Sequence, residues 1–280
     1  MFYLLKSFIQ MKILLNNRDL NEALNKVSKL GFVPTMGSLH RGHISLIKRS
    51  IKECKKTIVS IFINPTQFNN KSDYQKYPRN FKRDLLILKK LKVDLVYLPK
   101  KDDIYNSKRK VKIKLNKTDL ILCAKFRKGH FEGVIDVMDR LTKMIKPYKI
   151  FMGEKDYQQL YLVKKYLKKK YNSKIVTCKT IRNNNKLALS SRNFLLNKRD
   201  LIRAGKFTQN IFLLKNKLAS VTDIEKFLTY KKKEFNKSFK INIEYLELRN
   251  NKNLKKSKKV LNSKIFFAYY INKVRLIDNF

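Results

Sequence analysis

Apolar residues follow two alternating patterns along the first two thirds of the chain. Short continuous apolar runs suit strands that are buried on both faces, and the segments after them carry apolar residues at helical spacing. The predicted strands are 30–33, 57–63, 93–98, 149–152 and 175–180, with a weaker candidate at 111–115. The predicted helices are 21–30, 44–55, 81–91, 131–145 and one that opens within 153–159, and 69–80 is predicted to be loop. This alternation predicts an α/β fold with a parallel, doubly wound sheet.

The pattern changes after residue 182. A polar cluster at 183–185 and a serine-containing turn at 187–193 come first. The rest predicts helices at 199–219 and 221–235, then strands at 241–248 and 265–276 with a turn near Asn272. We therefore predict two domains, residues 1–182 with the parallel sheet and residues 183–280 as a smaller α+β domain.

Composition narrows the class of protein. Hydrophobic residues make up 43% of the chain, yet no run of about 18 apolar residues exists, so the sequence predicts no membrane span. The three cysteines are far apart, which favours a reducing compartment over a disulfide framework or a zinc ribbon. Residues 1–10 are interpreted as a short extension or a misassigned start ahead of Met11, and not as a signal peptide.

The formal net charge of +45 has two interpretations. A nucleic-acid-binding protein would carry such an excess, but its lysines would form a stripe or accompany a recognition motif. Here lysines extend from Lys6 to Lys273, and no RNP or zinc-finger motif is present. We favour compositional bias over specific nucleic-acid binding, and expect self-repulsion to make the protein salt-sensitive and marginally stable.

The segment from Pro34 to His43 is the first candidate for chemistry. It is a glycine-containing turn between a predicted strand and a predicted helix, where backbone N–H groups and the helix dipole favour phosphate. Two of the three histidines, His40 and His43, share one face of the first helical turn. Zinc ligation would need a third ligand, and buried structural histidines would not need flanking glycines. We therefore favour imidazoles that contact phosphate and stabilise transition-state charge.

Polar side chains elsewhere suit a small substrate. Gln67 follows a predicted strand, and its amide could hold the hydroxyl and carboxylate of a hydroxy acid, although a glutamine that stabilises the loop is the simpler alternative. Gln159 has the same two interpretations.

Charged and hydroxyl side chains suit phosphate and metal. Lys155 lies in a strand-to-helix turn and could act as a mobile charge on phosphates. The triplet Ser190-Ser191-Arg192 suits a triphosphate. Asp84 and Asp94 are candidates for Mg²⁺, with helix capping or surface charge as the alternative for each.

Together these segments resemble the pantothenate synthetase (pantoate–β-alanine ligase) family, within the H-x-G-H nucleotidyltransferase group. The segments that carry the resemblance, in the family's order, are 34–43, 60–68, 77–79 with 83–85, 129–134, 153–160, 187–193 and 274–279. The resemblance implies a Rossmann-like domain at 1–182, a lid domain at 183–280 and a cytoplasmic homodimer.

The resemblance also implies two half-reactions. Pantoate attacks the α-phosphorus of MgATP to give pantoyl adenylate and pyrophosphate, and β-alanine then attacks the adenylate to give pantothenate and AMP. His43, as the acid, His40 and Lys155 would take part in the chemistry, and Gln67 and Gln159 would hold pantoate, with Gln67 also near β-alanine. The residues implied to bind ATP are Met36, Gly37, Ser38, Leu39, His40, Arg41, Gly42, His43, Gly153, Glu154, Lys155, Asp156, Ile181, Leu189, Ser190, Ser191 and Arg192.

The chain departs from the family at several positions. Asn185-Lys186 stands where the family usually has Asp-Gly, Lys128 replaces a proline, Ala124 replaces a glycine and Asn272 replaces a late glycine. Two alternatives remain open: another adenylyltransferase with the same histidine turn, and a basic nucleic-acid-binding protein.

Overall fold

The computed structural model describes residues 11–105 and 113–280. The chain divides into two compact units. The first comprises the chain up to Leu115, Lys128–Gly153 and Leu160–Cys178, and the second comprises Asn116–Arg127, Glu154–Gln159 and Lys179–Phe280. The longest segment of the second unit therefore starts close to the boundary predicted at residue 182, and two short earlier segments join it.

A six-stranded parallel sheet forms the centre of the first unit. Its strands are β1 (Lys12–Leu14), β2 (Leu30–Thr35), β3 (Lys56–Ile61), β4 (Leu95–Tyr97), β5 (Lys149–Gly153) and β6 (Lys174–Cys178). Their spatial order is β1-β4-β3-β2-β5-β6, so the chain runs outward from β2 and later returns to its other side at β5. This order confirms the predicted α/β doubly wound fold. Ligands of such sheets bind at the carboxyl ends of the strands where the direction switches, here β2 and β5.

The chain up to residue 178, including the two short segments that belong to the second unit, also forms helices. They are α1 (Asn17–Leu24), α2 (Arg41–Glu53), α3 (Lys71–Gln75), α4 (Phe81–Lys90), α5 (Lys101–Tyr105), α6 (Cys123–Phe126), α7 (His130–Ile145) and α8 (Tyr157–Leu167). Val33, Val59 and Phe151 on the central strands and Ile47 of α2 are fully buried in one apolar cluster. Burial of side chains on neighbouring parallel strands explains their continuous apolar sequence.

The second unit contains a three-stranded antiparallel sheet. Its strands are β7 (Asn242–Asn250), β8 (Ser263–Ile271) and β9 (Val274–Asn279), and its two long helices are α9 (Lys198–Lys217) and α10 (Ile224–Phe239). Phe207 of α9 packs edge-to-face against Phe235, Phe267 and Tyr269 in its core. Asn272 has φ of 53° in the turn between β8 and β9, the left-handed conformation that asparagine tolerates well.

Several local predictions were wrong. The helix predicted at 21–30 corresponds to α1, which starts and ends earlier, at Asn17 and Leu24. Asn16 caps its N-terminus, and Lys26 and Lys29 adopt positive φ after its C-terminus. Strand β1 was missed, and α3 lies in the predicted loop at 69–80. Residues 113–115 of the weak predicted strand are not a strand, and 111–112, like 1–10, lie outside the described residues. Within 11–105 and 113–280, no helix combines the length and apolar character that a membrane crossing requires.

Candidate active site

The two imidazoles of the predicted phosphate turn stand together at the start of α2. His40 is the N-cap residue, and its Nδ1 accepts the backbone N–H of Gly42 at 3.1 Å. The Nδ1 of His43 accepts the backbone N–H of His40 at 3.3 Å, and the ring centroids are 4.1 Å apart. Because both Nδ1 atoms accept, each neutral ring carries its proton on Nε2, as a donor. Both Nε2–H groups are donors, and both rings lie at the positive end of a helix dipole.

Gly42 explains the spacing of the two histidines. A Cβ atom at this position would lie 2.7 Å from Cε1 of His40, closer than side-chain carbons approach one another. Any other residue would displace the His40 ring from the end of the helix. The glycine between the histidines is therefore required by packing of the ring.

Most backbone N–H groups of the turn are engaged within the protein. Gly37 donates to Oγ1 of Thr35 at 3.2 Å, and Ser38 and Leu39 donate to the two carboxylate oxygens of Asp84 at 2.7 and 2.8 Å. The N–H groups of His40 and Gly42 are engaged with the ring nitrogens described above. The expectation that these N–H groups meet phosphate is therefore not supported, and the imidazoles and the helix dipole remain as the phosphate-directed features.

Asp84 is buried, with 1% of its surface exposed. Burial raises the pKa of its carboxyl group, and the hydrogen bonds from Leu39 and Ser38 partly oppose that rise. The second predicted Mg²⁺ carboxylate, Asp94, accepts the backbone N–H of Thr57 at 2.8 Å. Among the described residues no group of three His, Cys, Asp or Glu side chains could hold a metal ion. These contacts do not fit the predicted magnesium role of either carboxylate.

Gln67 lies beside the histidine turn. It ends a 3-10 turn, Pro65–Gln67, that follows β3, and 8% of its surface is exposed. Its Nε2 donates to Sδ of Met36, its Oε1 accepts from Asn64 Nδ2 at 3.4 Å, and its carbonyl accepts from His130 Nδ1 at 2.6 Å. The structure therefore brings the predicted pantoate residue into direct contact with the predicted ATP-binding turn.

Two residues that support Gln67 were missed from the sequence. Asn64 donates to the carbonyl of Gly133 at 3.1 Å and accepts from the Tyr105 hydroxyl at 2.8 Å, which fixes its amide. His130 starts α7 and holds the backbone of Gln67. Signals existed for both: Asn64 comes just after a buried strand, and His130 is the remaining histidine, between Gly129 and Gly133.

The second unit carries the predicted lysine. Gly153 ends β5 in the first unit, and Glu154–Asp156 forms one 3-10 turn before α8. The Lys155 side chain is 17% exposed, and its Nζ lies 3.5 Å from Oδ1 of Asp156. Gln159 is half-buried in the first turn of α8.

The predicted triphosphate loop also lies in the second unit. Leu189 donates its N–H to the carbonyl of Ile181 at 3.0 Å, so these two predicted nucleotide contacts are adjacent. Ser190 caps the 3-10 turn Ser191–Leu195 by accepting the backbone N–H of Arg192 at 3.2 Å. The guanidinium of Arg192 donates to the carbonyl of Arg275 on β9 at 3.3 Å. Ile181 and Leu189, and Ser190 and Arg192, are therefore paired locally, and the Arg192 side chain contacts β9.

Comparison with known proteins decides the family. The family model for pantoate-beta-alanine ligase matches residues 10–280. The chain belongs to the pantoate-beta-alanine ligase family. A pantothenate synthetase of Francisella tularensis subsp. novicida is 41% identical over 265 residues, which is 94% of this chain and 93% of that protein. The predicted family and enzyme class are thus confirmed.

Solved structures of the pantoate-beta-alanine ligase family agree with the fold. One from Francisella tularensis, complexed with beta-gamma ATP and beta-alanine, has a TM-score of 0.83 at 40% identity and covers 96% of this chain and 97% of that one. A pantothenate synthetase from Thermus thermophilus has a TM-score of 0.89 at 30% identity, covering 96% of this chain and 99% of that one.

Proposed function

We propose that this ligase joins pantoate to β-alanine through a pantoyl-adenylate intermediate, consuming ATP and releasing pyrophosphate and AMP. The observation that carries the proposal is the contact between Gln67 and Met36, which places an amide suited to a hydroxy acid against the turn that carries both imidazoles. The complex of the Francisella relative with beta-gamma ATP and beta-alanine supports ATP and β-alanine as substrates.

In the first half-reaction the carboxylate of pantoate attacks the α-phosphorus, and the bond to pyrophosphate breaks. The Nε2–H groups of His43 and His40 donate to phosphate oxygens as negative charge builds on them, which lowers the barrier. Lys155, together with Ser190, Ser191 and Arg192, holds the phosphates, while Gln67 and Gln159 orient pantoate. Magnesium enters this proposal only as the counter-ion of ATP, and no step depends on a protein-held metal.

In the second half-reaction the amine of β-alanine attacks the acyl carbon of the adenylate, and AMP leaves with the bonding electrons. Both steps depend on orientation and charge stabilisation, so no covalent nucleophile is needed. We further propose that residues 1–182 bind nucleotide and pantoate, that 183–280 act as the lid domain, and that the chain is a homodimer without a specific nucleic-acid partner.

A coupled assay of AMP release, with each substrate omitted in turn, tests the proposal. We expect AMP only when ATP, pantoate and β-alanine are all present, and pantoate-dependent exchange of pyrophosphate into ATP without β-alanine. AMP or pyrophosphate release that is independent of pantoate would contradict the proposal and favour another adenylyltransferase. Tight binding to single-stranded nucleic acid that weakens steeply with salt would favour the third interpretation.

A further inference from the structure

The turn that carries Lys155 has little internal support. Three residues, Glu154–Asp156, form a single 3-10 turn between β5 and α8. Such a turn fixes few of its own backbone groups, because 3-10 hydrogen bonds are fewer and poorer than those of a longer helix. A lysine also loses much rotamer freedom when it is held in one place. Precise placement of Lys155 therefore needs support from outside the turn.

Asn279 of β9 supplies this support. Its Nδ2 donates to the carbonyl oxygens of Glu154 and Lys155, both at 3.0 Å. Because both partners can only accept, the amide nitrogen and not the oxygen must face the turn. A primary amide carries two N–H donors on one atom, which matches two successive carbonyls. With 3% of Asn279 exposed, water does not replace these bonds easily.

The amide of Asn279 is oriented at a cost. Its Oδ1 is buried and has no hydrogen-bond partner among the described residues. An unsatisfied buried acceptor destabilises a fold by about 1–3 kcal/mol. Turning the amide over would lose both donated bonds and place its oxygen against two carbonyl oxygens. The two bonds to the lysine turn are what the orientation gains.

Asn279 is itself held on both sides. Its backbone N–H donates to Oδ1 of Asp278 at 2.8 Å, and its carbonyl accepts from Arg182 at 2.8 Å. Arg182 also forms two hydrogen bonds to the carboxylate of Asp278, at 2.5 and 2.9 Å. Burial raises the pKa of Asp278, and the Arg182 guanidinium opposes that rise. Because these contacts fix Asn279, its side-chain amide can hold the Glu154–Asp156 turn in one position.

The same network reaches the triphosphate loop. Arg182 donates to the carbonyl of Lys186 at 2.8 Å and pairs with Ala188 in an antiparallel bridge, just ahead of the Ser190–Arg192 triplet. The Arg192 guanidinium contacts the carbonyl of Arg275 on the same strand as Asn279. Strand β9 is therefore a common support for both groups of predicted phosphate contacts.

We propose that Asn279 is a positioning residue that fixes the Glu154–Asp156 turn and thereby aims Lys155 at the phosphates of ATP. This inference rests on the proposed function, because it needs Lys155 to act on bound nucleotide. Small displacements of a positioned group cost up to about 10²-fold in rate. Asn279→Ala removes both donors and releases the turn.

A double-mutant cycle between Asn279→Ala and Lys155→Ala tests the inference. We expect Asn279→Ala to lower kcat by about 10-fold or more in the natural background and also to raise the dissociation constant of ATP, because Lys155 holds its phosphates. In the Lys155→Ala background the same change should lower kcat less than about twofold, because the group it positions is gone. Where the activity of Lys155→Ala is too low to follow, the dissociation constant of ATP from calorimetry gives the same cycle.

Two further variants separate positioning from stability. Asn236→Ala removes a side-chain bond to the backbone N–H of Ile243, 2.8 Å long, in the same unit, and should leave kcat unchanged at a similar loss of stability. Asn279→Ser keeps one donor and should give an intermediate effect if Asn279→Ala does not fold.

An equal effect of Asn279→Ala on kcat in both backgrounds, or an effect on kcat that Asn236→Ala matches, overturns the inference. A natural enzyme that forms no pantoate-dependent AMP refutes the proposed function instead, and the ATP-binding cycle still tests Asn279.

Discussion

The carboxylate of Asp84 accepts the backbone N–H of Ser38 at 2.7 Å and holds Ser38 at φ of 51°. A residue other than glycine in the left-handed region is strained, and persists there only where its surroundings fix it. The second carboxylate oxygen holds Leu39, the residue before His40. Asp84 therefore determines how the chain enters the histidine pair, from a position 46 residues away in sequence.

Asp84→Asn tests this role. The amide can accept only one of the two N–H groups and presents its own donors to the other, which costs about 1–3 kcal/mol and frees the turn. We expect a lower free energy of unfolding in urea and at least a 10-fold lower rate of AMP formation at saturating substrates. The Mg²⁺ concentration for half-maximal activity should not change, because the carboxylate holds the backbone.

Asp94→Asn is the matched control, since Asp94 also accepts one backbone N–H, that of Thr57. Asparagine keeps the single acceptor that this bond needs, so both the stability and the activity of the folded enzyme should stay close to natural. A large rise in the Mg²⁺ requirement of Asp84→Asn, with stability unchanged, would restore the magnesium interpretation.

His43 is expected to contribute the acidic Nε2–H. Replacing one transition-state donor usually costs about 10²–10³-fold in rate, so His43→Ala should lower adenylate formation by that factor. His43→Asn is the better variant, because its Oδ1 can still accept the His40 N–H while the imidazole is lost. Pyrophosphate exchange measures the adenylation step alone. Near-natural exchange by a folded His43→Asn enzyme would refute the role.

His40→Ala should differ from His43→Asn, which keeps its own capping bond to the His40 N–H, in one respect. His40 is also the N-cap of α2, so its removal should lower the free energy of unfolding by about 1 kcal/mol in addition to the rate. Thermal unfolding of the two variants in parallel measures the difference. Equal stability of both variants would show that the cap bond to Gly42 contributes little.

Much of the sheet could be predicted because its strands are buried on both faces and their apolar runs are long. β2, β3 and β5 were found within a few residues of their bounds. The C-terminal end of α1 could not be predicted. The helix is not continued because Lys26 and Lys29 adopt positive φ, and lysine gives no signal for that conformation. β1 was missed because three residues carry too little pattern.

The candidate site was predictable where a residue's chemistry depends on its own neighbours in sequence. His40, Gly42 and His43 form such a group. Roles set by distant partners were not predictable: Gln67 and His130 are 63 positions apart, so no local pattern reveals their hydrogen bond. For the same reason no local pattern reveals that Asp84 accepts the backbone N–H groups of Ser38 and Leu39.

Lys186→Gly should stabilise the protein. Lys186 stands where the family usually has glycine and adopts φ of 63°, which is strained for any residue with a Cβ. Its Nζ lies 5.1 Å from the centre of the Phe212 ring, an exposed cation–π contact worth about 0.5 kcal/mol that the change removes. We expect a net gain of about 0.5–1 kcal/mol, seen as a Tm higher by about 1–3 °C.

Lys217→Gly is the control, because Lys217 lies in the same unit at φ of −79°. Glycine there should destabilise through its backbone entropy. A Tm of Lys186→Gly at or below that of the natural protein would show that the loop does not store strain.

Buried tyrosines should make the protein sensitive to alkali. Burial raises the pKa of Tyr97, and the negative charge of Asp103 raises it further. Burial also raises the pKa of Tyr269, and the hydroxyl of Thr208 partly opposes that rise. Above about pH 10 the unfolded chain releases these protons and the folded protein keeps them, so the free energy of unfolding must fall as pH rises. Urea titrations from about pH 8 to about pH 11, in about 0.5 M NaCl to screen lysine repulsion, measure the fall. Tyr97→Phe should lose part of this pH dependence, and an unchanged slope would contradict the assignment.

Salt should stabilise the protein at neutral pH. The 66 lysines and arginines outnumber the 21 acidic residues threefold, so most cations repel one another without a carboxylate to pair with. At about 0.1 M ionic strength the Debye length is about 10 Å, and self-repulsion across the surface is largely screened. We expect Tm to rise steadily as NaCl increases from about 0.01 M to about 0.3 M, and to rise equally with NaCl and KCl if screening is the cause. A larger rise with sulfate at equal ionic strength would indicate anion binding at a defined site. A Tm that falls with salt would mean that the ion pairs, such as Arg182 with Asp278, contribute more to stability than repulsion removes.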